Sequence, residues 1–518
     1  MANAEFPSDA ISPDQGTVSM SADEVGKILE HIALLLELKG ENPFKIRAYT
    51  NAARALETLT EDIATLVEEK RLEEMDGIGK AIAEKISLLV TTGKLKYYDT
   101  LREEFPPDIF SLFELQGLGA KKIKLLYGQL DIHSITKLER ACRDGTVAAL
   151  PGFGEKTAAN ILKSIAQHKK SAGQFRLGDI TALAEQLLDD LRSHPQVTLV
   201  QIAGSYRRKK EIVRDLDFIV STRQPAEVSA DFVNHPLVES VLSHGETKSS
   251  VLLKNGIQCD LRVVNSGEYP FALNYFTGSK EHNITMRSRA LERGWSLNEY
   301  RFSEADGRKL KAPLPAVQTE SDLYQALGLA YVEPELREDR GEIAAAENGE
   351  IPTLIAWPNL RGTFHCHTTA SDGRASLEAM AEAAGELGLQ YLGIADHSKS
   401  SIQANGLDEK RLLAQVAEIK TLNAGFDRFR LFSGTECDIK KDGSLDFSDE
   451  VLAQLDYVVA SVHASFTLSE VEMTDRIITA ITNPHVTMIG HLTGRLLLSR
   501  EPYKVNIPAI IEAAASTG

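Results

Sequence analysis

Residues 204–221 read GSYRRKKEIVRDLDFIVS, and this stretch decides how the chain is interpreted. Asp215 and Asp217 are two residues apart at the start of an apolar run, so on a strand both carboxylates lie on one face. Burying such a pair is costly unless cations neutralise it. The run IQCDLRVV places Asp260 in a second predicted strand with the same alternation. If the strands are neighbours, three carboxylates converge, which is the ligand set for two Mg²⁺ ions about 4 Å apart.

The residues just before the aspartates offer donors for a triphosphate. Gly204 contributes a backbone N–H, Ser205 a hydroxyl and Arg208 a guanidinium group. Taken alone, the Asp-x-Asp pair is more typical of a hairpin with surface acids. The upstream spacing and the third aspartate instead favour a site that activates a 3′-hydroxyl and stabilises a leaving pyrophosphate.

The periodicity of the sequence changes along the chain and divides it into segments. Residues 21–172 are predicted to be helical, and residues 173–265 to form short strands with helices between them. Residues 266–335 are predicted as a smaller α/β piece, and residues 336–358 as a charged linker with Gly and Pro. Strand and helix signals alternate over residues 359–518, which indicates a (β/α) barrel or a layered α/β unit.

Three glycine loops repeat within the helical part and read MDGIGKAIAEKI, LQGLGAKKIKLL and LPGFGEKTAANIL. Each opens a helix with lysine in its first turns. Backbone N–H groups at a positive helix end form a phosphate site without side-chain specificity. One copy is often only a helix entry, but three copies resemble helix-hairpin-helix motifs, which bind the DNA backbone. The predicted DNA-binding residues are Gly77, Gly79, Lys80, Gly117, Gly119, Lys121, Gly152, Gly154 and Lys156.

Lys85 lies on the helix after the first glycine loop, and two interpretations of it stay open. It is either a solvated surface lysine, which is the ordinary case, or a Schiff-base nucleophile. The nucleophile requires a pKa lowered by neighbouring positive charge, which Lys45 and Lys80 could supply.

Several stretches resemble family X DNA polymerases, the polymerase beta-like group. GSYRRKKEIVRDLDFIV, CDLRVV and YFTGSKEHNITMRSRALERGWSLNEY resemble the nucleotidyltransferase core, and MDGIGKAIAEKI resembles the family's N-terminal DNA-binding domain. The resemblance implies catalytic roles for Asp215, Asp217 and Asp260 as ligands of Mg²⁺ or Mn²⁺. It also implies that Lys85 is the catalytic lysine of a deoxyribose-phosphate lyase.

The same resemblance implies a nucleotide site. Its residues are Gly204, Ser205, Arg208, Tyr275, Phe276, Gly278, Asn283 and Arg287. The segment from Tyr275 to Gly278 matches the wall beside the sugar, and Asn283 and Arg287 match residues that check the nascent base pair. Arg214 replaces the family's usual glycine before the first aspartate.

Histidines are concentrated near the end of the chain. Residues 365–518 hold six of the 13 histidines, and most lie where a predicted strand ends, in TFHCH, GIADH, SVH and IGH. In His-x-His on a strand both rings face the same way and can share a metal. Asp372, Glu436 and Asp396 add acidic ligands or groups that orient the rings. Nitrogen and oxygen ligands without cysteine indicate Mn²⁺, Zn²⁺ or Fe.

This C-terminal segment resembles the PHP (polymerase and histidinol phosphatase) phosphoesterase domain. The matching stretches are HCHTTASDG, IADHS, GTECDI, SVHASF and GHLTGR. The resemblance implies a trinuclear site that activates water and cleaves phosphoester bonds, with the ligands His365, His367, Asp372, His397, Glu436, His463 and His491. The family pattern continues with an Asp-x-His pair that does not follow His491 here. We therefore expect a C-terminally incomplete domain, with partial or absent metal occupancy if the chain is truncated.

The predicted domains combine these patterns with the two resemblances. They are a disordered tail (1–20), a lyase-like helical DNA-binding domain (21–98), a helix-hairpin-helix domain (99–172), a palm (173–265), a nascent-base-pair subdomain (266–335), a linker (336–358) and a PHP domain (359–518). The fold class is accordingly multidomain, with an all-α N-terminal part, an α+β palm and a C-terminal (β/α) barrel.

Composition limits the functional class and the compartment. Four widely spaced cysteines argue against a disulfide framework and favour a reducing cytosol. No apolar run reaches the roughly 20 residues that span a bilayer, and the polar N-terminus does not resemble a signal peptide. The net charge of −17 requires that basic residues be concentrated in a DNA channel. We predict that the channel is formed by Lys80, Lys85, Lys121, Lys122, Lys156 and Arg208.

Three functions are compared. The leading one is a DNA polymerase that fills short gaps during base excision repair, with a metal-dependent 3′-5′ exonuclease in the PHP domain. Its expected partners are gapped or primer–template DNA and deoxynucleoside triphosphates, and the expected state is a monomer at the bacterial nucleoid, away from membranes. The alternatives are a phosphoesterase of small molecules on a degenerate polymerase scaffold and a non-catalytic protein that binds DNA ends.

Overall fold

The computed structural model describes residues 20–517, apart from 58, 60, 61, 76, 114, 116, 117, 172 and 306–312. Gly117 and residues 1–19 of the predicted tail therefore lie outside the described residues. The contacts divide the chain into two units. One unit runs to His168 and includes Leu360–Gly494 and Tyr503–Gly518, and the other holds Lys169–Asn359 and Arg495–Pro502.

The N-terminal part of the first unit is helical. The first helix, α1, begins with a capping box in which Ser21 and Glu24 exchange hydrogen bonds, and it ends at Gly40 in the left-handed conformation, φ 81°. Its Leu29, Ile32 and Leu35 are fully buried. The helices are α1 Ala22–Lys39, α2 Pro43–Glu57, α3 Ile63–Glu68, α4 Lys80–Thr92, α5 Lys96–Glu103, α6 Ala120–Leu130, α7 Ile135–Arg143 and α8 Glu155–Ser171, with 3₁₀ turns at Leu72–Glu74 and Pro107–Leu112.

The three predicted glycine loops each precede a helix, so the predicted repeat is confirmed at the level of secondary structure. Gly79 is the N-cap of α4 and Gly119 that of α6, both with extended backbone. In the third loop, Gly152 and Gly154 have φ values of 84° and 95°, which favour glycine. Cβ atoms added at Gly79, Gly119 or Gly154 would meet no atom within 4 Å. These loop backbones are therefore accessible to a ligand.

The second unit is built on a mixed five-stranded sheet in the order β2-β4-β7-β6-β5, in which β4 and β7 are parallel and the other neighbours antiparallel. Leu216, Phe218 and Val220 of β4 pack in the core, so the alternate residues of the strand face the other way. The elements are β1 Phe175–Arg176, α9 Leu177–Ser193, β2 Val197–Ile202, α10 Gly204–Arg207, β3 Ile212–Val213, β4 Asp215–Thr222, α11 Pro225–Val233, β5 Val238–Ser243, β6 Lys248–Leu253 and β7 Gln258–Val264.

A smaller α/β part follows and has its own core around Met286, Leu323 and Tyr324. The segment predicted as a linker differs from expectation in its first half. Residues 342–348 form a helix between two glycines, and its Ile343 and Ala346 pack into that core because they lie three apart on one helical face. The elements are α12 Tyr269–Thr277, α13 Lys280–Glu292, β8 Trp295–Leu297, β9 Phe302–Glu304, α14 Glu320–Ala326 and α15 Glu342–Asn348, with 3₁₀ turns at Pro334–Leu336 and Trp357–Asn359.

The C-terminal part of the first unit holds five parallel strands in the order β10-β11-β12-β13-β14. Parallel neighbours joined by helices confirm the predicted β/α alternation, and the carboxyl ends of all five strands lie at one edge of the sheet. The elements are β10 Gly362–Cys366, α16 Leu377–Glu386, β11 Tyr391–Ile394, α17 Glu409–Asn423, β12 Arg430–Asp438, α18 Asp449–Leu452, β13 Tyr457–Ser461, α19 Glu470–Ile481, β14 Met488–Ile489 and α20 Ile507–Thr517, with a 3₁₀ turn at Ile402–Ala404. Among the described residues, we found no helix that combines the length and apolarity needed to cross a membrane.

Candidate catalytic and metal sites

The three predicted aspartates lie on neighbouring strands. Strands β4 and β7 are parallel, and Asp217 is directly opposite Asp260 in their register. Asp215 precedes Asp217 by two residues and faces the same side of the sheet. The sequence predicted convergence of the carboxylates only if the two strands are neighbours, and the structure shows that they are. Three carboxylates converge where β4 begins, on the face away from Leu216 and Phe218.

The electrostatics of this site call for a cation. Burial raises the pKa of Asp217 to about 7, and the carboxylates of Asp215 and Asp260 add to that rise. Burial, followed by the charge of Asp260, also raises the pKa of Asp215. Neighbouring carboxylates disfavour each other's ionisation because their charges repel. A divalent cation would favour the ionised forms of Asp215 and Asp217, so the donor set fits Mg²⁺ or Mn²⁺.

Lys248 is a residue of this site that sequence reasoning missed. Its Nζ lies 3.1 Å from Asp260 Oδ2, and Gln258 Nε2 donates to Asp260 Oδ1 at 2.9 Å. Although burial opposes it, hydrogen bonds from Gln258, Ser250 and Lys248 lower the pKa of Asp260. Lys248 begins β6, and only the observed pairing of β6 with β7 brings it to Asp260. No local sequence signal marks that pairing.

Position 204 requires glycine because its backbone lies close to the Asp217 carboxylate. It has a φ of 62°, and a Cβ added there would lie 2.6 Å from Asp217 Oδ2. The turn that begins with Gly204 therefore approaches the aspartate closely because the residue has no side chain. Ser205 follows in α10, so the turn that carries this predicted phosphate donor begins beside Asp217.

The two arginines after Ser205 have different partners. Arg207 donates to both oxygens of Glu320, at 3.0 and 2.6 Å. Arg208 donates from Nε to Glu338 at 2.9 Å and from a terminal nitrogen to the Thr277 carbonyl. The predicted triphosphate ligand Arg208 is therefore paired with a carboxylate that the sequence pattern did not identify.

The predicted nucleotide-side residues are brought together by α12 and α13. Asn283 Nδ2 donates to the Tyr275 carbonyl at 2.7 Å, which ties the two helices to each other. Tyr275 and Phe276 pack edge to face with ring centroids 5.1 Å apart. Gly278, with φ 73°, ends α12. Arg287 lies one turn after Asn283 on α13, so their side chains share a face.

Glu436 lies at the centre of the second candidate site and is buried. Its oxygens are 2.8–3.5 Å from ring nitrogens of five histidines. Those histidines are His365, His367, His397, His463 and His491. Each follows or ends a different strand, except His365 and His367, which belong to the same strand end. The parallel sheet thus places all of them at one edge.

The groups fit metal ions in three overlapping sets, which are His365 with His367 and Glu436, His367 with Asp372 and His397, and His397 with Glu436 and His463. Asp372 reaches the second set, with oxygens 3.6 Å from His367 Nδ1 and 3.5 Å from His397 Nε2. Nδ1 of His367 and Nδ1 of His397 are buried and make no well-aligned hydrogen bond among the described residues, although Nδ1 of His397 lies 3.0 Å from Glu436 Oε2. Buried nitrogen lone pairs of this kind suit metal ligation.

The local backbone at the first histidine is irregular, which the simple strand argument did not predict. His365 has a φ of 64°, and the pairing of β10 with β11 shifts register between Thr363 and Cys366. The rings of His365 and His367 still lie together, with centroids 5.3 Å apart. The bulge, and not a regular pleated strand, therefore directs both rings toward Glu436.

Two buried aspartates support the histidine site without belonging to the three metal-competent sets. Asp438, which sequence reasoning missed, lies 3.1 Å from His463 Nδ1 and leaves Nε2 facing Glu436. Asp396 accepts hydrogen bonds from the backbone and hydroxyl of Thr368 and from Ser371, so it holds the loop that carries Asp372. An acid that fixes the far side of a ligating ring is a common arrangement at metal sites.

Charge in the histidine site is strongly coupled. Burial opposes protonation of His463, but its hydrogen bonds to Asp438 and Glu436 raise its pKa to about 9. Despite burial, hydrogen bonds from His365, His463 and His491 hold the pKa of Glu436 well below its ordinary range. Burial, with the neighbouring charge of His397, lowers the pKa of His367. Metal binding here would displace protons from the rings.

Lys85 and Lys45 share an aromatic neighbour. Their Nζ atoms lie 5.5 and 5.8 Å from the centre of the Tyr97 ring. Lys85 Nζ also donates to the Ala81 carbonyl at 2.8 Å. Lys80 begins α4 on its exposed surface. The structure therefore places Lys45 and Lys85 around the same aromatic ring.

The comparisons with known proteins agree with this geometry. Family models match for a helix-hairpin-helix domain over residues 20–95, a tandem helix-hairpin-helix over 110–167, the DNA polymerase beta thumb over 272–338 and the PHP domain over 363–499. The chain is 38% identical over 500 residues to the DNA polymerase/3′-5′ exonuclease PolX of Bacillus subtilis (strain 168), covering 96% of this chain and 86% of that protein. The chain belongs to the bacterial family X DNA polymerases.

More distant family X relatives match a smaller share of the chain. DNA polymerase lambda of Rattus norvegicus is 26% identical over 341 residues, which is 60% of this chain and 55% of that protein. DNA polymerase lambda of Arabidopsis thaliana is 25% identical over 301 residues, which is 52% of this chain and 53% of that protein. The predicted resemblance to family X and the predicted PHP domain are both confirmed.

Proposed function

We infer that the chain is a DNA-directed DNA polymerase of DNA repair that carries a 3′-5′ exonuclease in its PHP domain. The observation that carries the inference is the parallel pairing of β4 and β7, which sets Asp217 opposite Asp260 in a member of family X. A phosphoesterase of small molecules that acts through the histidine site alone would have no use for this carboxylate set beside Gly204. A non-catalytic DNA-end-binding protein would not need a second, histidine-rich site.

We propose that Asp215, Asp217 and Asp260 hold Mg²⁺ or Mn²⁺. When bound, such ions lower the pKa of a hydroxyl nucleophile and neutralise a leaving pyrophosphate. The chain itself contributes placement, because strand register fixes Asp217 against Asp260 and Lys248 fixes the Asp260 carboxylate.

A nucleotide site is proposed next to the aspartates, at the turn that begins with Gly204. Ser205 and Arg208 bind the triphosphate, while Tyr275, Phe276 and Gly278 contact the deoxyribose. Asn283 and Arg287 contact the base pair from one face of α13. The hydrogen bond from Asn283 to the Tyr275 carbonyl supports this assignment, since it holds the sugar side and the base side in fixed relation.

The inference is tested with a gapped primer–template and deoxynucleoside triphosphates, in Mg²⁺ or in Mn²⁺. Extension of the primer, and its degradation when nucleotides are omitted, are the expected results. A protein that neither extends nor degrades DNA, yet hydrolyses a phosphorylated small molecule, would overturn the inference.

Gly204→Ala tests the close approach to Asp217. The added methyl group collides with the carboxylate, and the left-handed backbone costs roughly 1–2 kcal/mol for a residue with a side chain. We expect kcat/KM for nucleotide incorporation to fall about tenfold or more. Gly178→Ala is the matched control, because a Cβ at Gly178 meets nothing within 4 Å. Equal activity of the two variants would contradict the assignment.

The glycine loops are proposed to bind DNA phosphates without reading sequence. Lys80, Lys121 and Lys156 are exposed next to the accessible backbones of Gly79, Gly119 and Gly154. Gly77 and Gly152 shape the first and third loops through their positive φ values.

Salt dependence tests this proposal. Affinity for duplex DNA should fall with a steep slope of log K against log salt. Replacing Lys80, Lys121 and Lys156 together by Ala should reduce that slope by about 3, because each lysine is expected to neutralise one phosphate. Fluorescence anisotropy at several salt concentrations measures it. An unchanged slope would mean that these lysines do not bind phosphates.

We propose deoxyribose-phosphate lyase activity at Lys85. Lys85→Ala should abolish the adduct that borohydride traps on a 5′-deoxyribose phosphate end, because the adduct is a reduced Schiff base. Gap filling should remain within about twofold, since Lys85 and the aspartates belong to different units of the chain. Lys94→Ala, another exposed lysine of the helical region, is the control. Trapping that persists in Lys85→Ala would assign the nucleophile to another amine.

The histidine site is proposed to hold Mn²⁺, Zn²⁺ or Fe ions through His365, His367, Asp372, His397, Glu436, His463 and His491. The ions would supply an activated water for phosphodiester cleavage. The protein's part is to orient the rings, which Asp438 does for His463.

The remaining expectations are proposals that family membership supports. They are short-gap DNA and deoxynucleoside triphosphates as partners, a monomeric state and a location at the bacterial nucleoid. The predicted domain boundaries are likewise proposed, except that the smaller α/β part extends through α15 into the predicted linker. The ranges of the four family matches support the division into these parts.

A further inference from the structure

Glu338 lies between Arg208, the predicted triphosphate ligand, and Lys210. Its Oε1 is 2.9 Å from Arg208 Nε and 3.3 Å from Lys210 Nζ. Although burial opposes it, the hydrogen bond and charge of Arg208, with the charge of Lys210, lower the pKa of Glu338. The carboxylate is therefore ionised at neutral pH and neutralises both cations.

The geometry of this pair contrasts with that of its neighbour. Arg207 is bound by both oxygens of Glu320, whose side chain is 7% exposed and also receives the buried Arg337. Arg208 meets one oxygen of Glu338, whose side chain is 22% exposed. A one-point pair with access to water exchanges partners more readily than a buried two-point pair.

The backbone beside Glu338 is anchored while its carboxylate is accessible. The Arg337 carbonyl accepts the Ser279 N–H at 2.9 Å, and the Arg337 guanidinium is held by Glu320. Glu338 is thus tethered next to Arg208 whatever its side chain does. A tethered carboxylate has a high effective concentration at the cation it faces.

We propose that Glu338 sets the affinity of the triphosphate subsite by competing with the nucleotide for Arg208 and Lys210. This proposal rests on the proposed function, in which Arg208 binds the triphosphate. A carboxylate is the side-chain group closest to a phosphate oxygen in charge and hydrogen bonding, so an incoming triphosphate displaces it. On departure of pyrophosphate the carboxylate returns.

The test compares Glu338→Gln, which keeps the shape and removes the charge, with Glu335→Gln. Glu335 is an exposed acid three residues earlier in the same segment. In gap filling, Glu338→Gln should lower KM for the deoxynucleoside triphosphate roughly two- to fivefold, the size expected of a partly exposed ion pair. Glu335→Gln should leave KM unchanged. Binding of inorganic tripolyphosphate without DNA should tighten by the same factor in Glu338→Gln alone.

Other results would overturn the proposal. A KM that rises in Glu338→Gln means that the carboxylate positions Arg208 for the nucleotide. Equal KM and tripolyphosphate affinity in the wild type and Glu338→Gln mean that the pair does not compete with phosphate. If the wild type incorporates no nucleotide, the proposed function fails, and the tripolyphosphate measurement still decides whether Glu338 opposes polyphosphate binding.

Discussion

Asp217→Asn is expected to abolish nucleotide incorporation while leaving exonuclease activity intact. Asp217 faces Asp260 across parallel strands and contacts the turn at Gly204, so it lies at the centre of the three carboxylates. An amide keeps the shape but removes the charge that a divalent cation needs. We expect kcat for extension of a gapped primer to fall at least about 10³-fold, equivalent to about 4 kcal/mol.

The control for this prediction is Glu227→Gln, which removes an exposed acid from the same unit. It should extend primers at the wild-type rate. Asp217→Asn should also retain the unfolding temperature of the wild type or exceed it, because one of three mutually repelling carboxylates is removed. Extension by Asp217→Asn at the wild-type rate would place the polymerase centre elsewhere.

Much of the aspartate site could be predicted from short spacings. Period-two alternation put Asp215 and Asp217 on one face, and the same alternation put Asp260 on one face of its own strand. The parallel pairing of β4 with β7 was not visible in either run, because strand order depends on the packing of the whole sheet. Lys248 was missed for that reason, since only the β6–β7 pairing brings it to Asp260.

Long-range ion pairs mark a second limit of sequence reasoning. Arg208 was identified by its position after Gly204 and Ser205, but its partner Glu338 is 130 residues away. That partner lies in a segment predicted as a linker from its charge. Within this segment Glu338 pairs with Arg208, Arg337 pairs with Glu320, and the helix α15 completes a core. Charge density alone does not distinguish a solvated linker from a segment held by ion pairs.

The histidine site was predictable in composition and less so in local geometry. Histidines at strand ends indicated one edge of a parallel sheet, and the structure has that edge. The bulge at His365 was not predicted, because no glycine marks the positive φ value. Asp438 was missed because it lies only two residues after Glu436, and the sequence pattern indicated no separate role for it.

Glu436→Gln is expected to abolish the 3′-5′ exonuclease and to leave gap filling at the wild-type rate. Glu436 belongs to two of the three metal-competent sets, and its carboxylate is the acceptor on which five histidine rings converge. An amide carries no charge, and its NH₂ group would face ring nitrogens that must act as ligands. We expect degradation of a single-stranded 3′ end to fall at least about 10³-fold, and the bound metal, measured by mass spectrometry, to decrease.

Glu418→Gln is the matched control, since Glu418 is an exposed acid on α17 of the same unit. It should keep both the exonuclease activity and the metal content. The metal measurement separates two explanations of an abolished activity, because a site that never held metal gives equal content in the wild type and Glu436→Gln. Full exonuclease activity in Glu436→Gln would show that degradation arises outside the histidine site. Glu436 and Asp217 belong to different units of the chain, so we expect the two sites to act independently. Loss of gap filling in Glu436→Gln would contradict that independence.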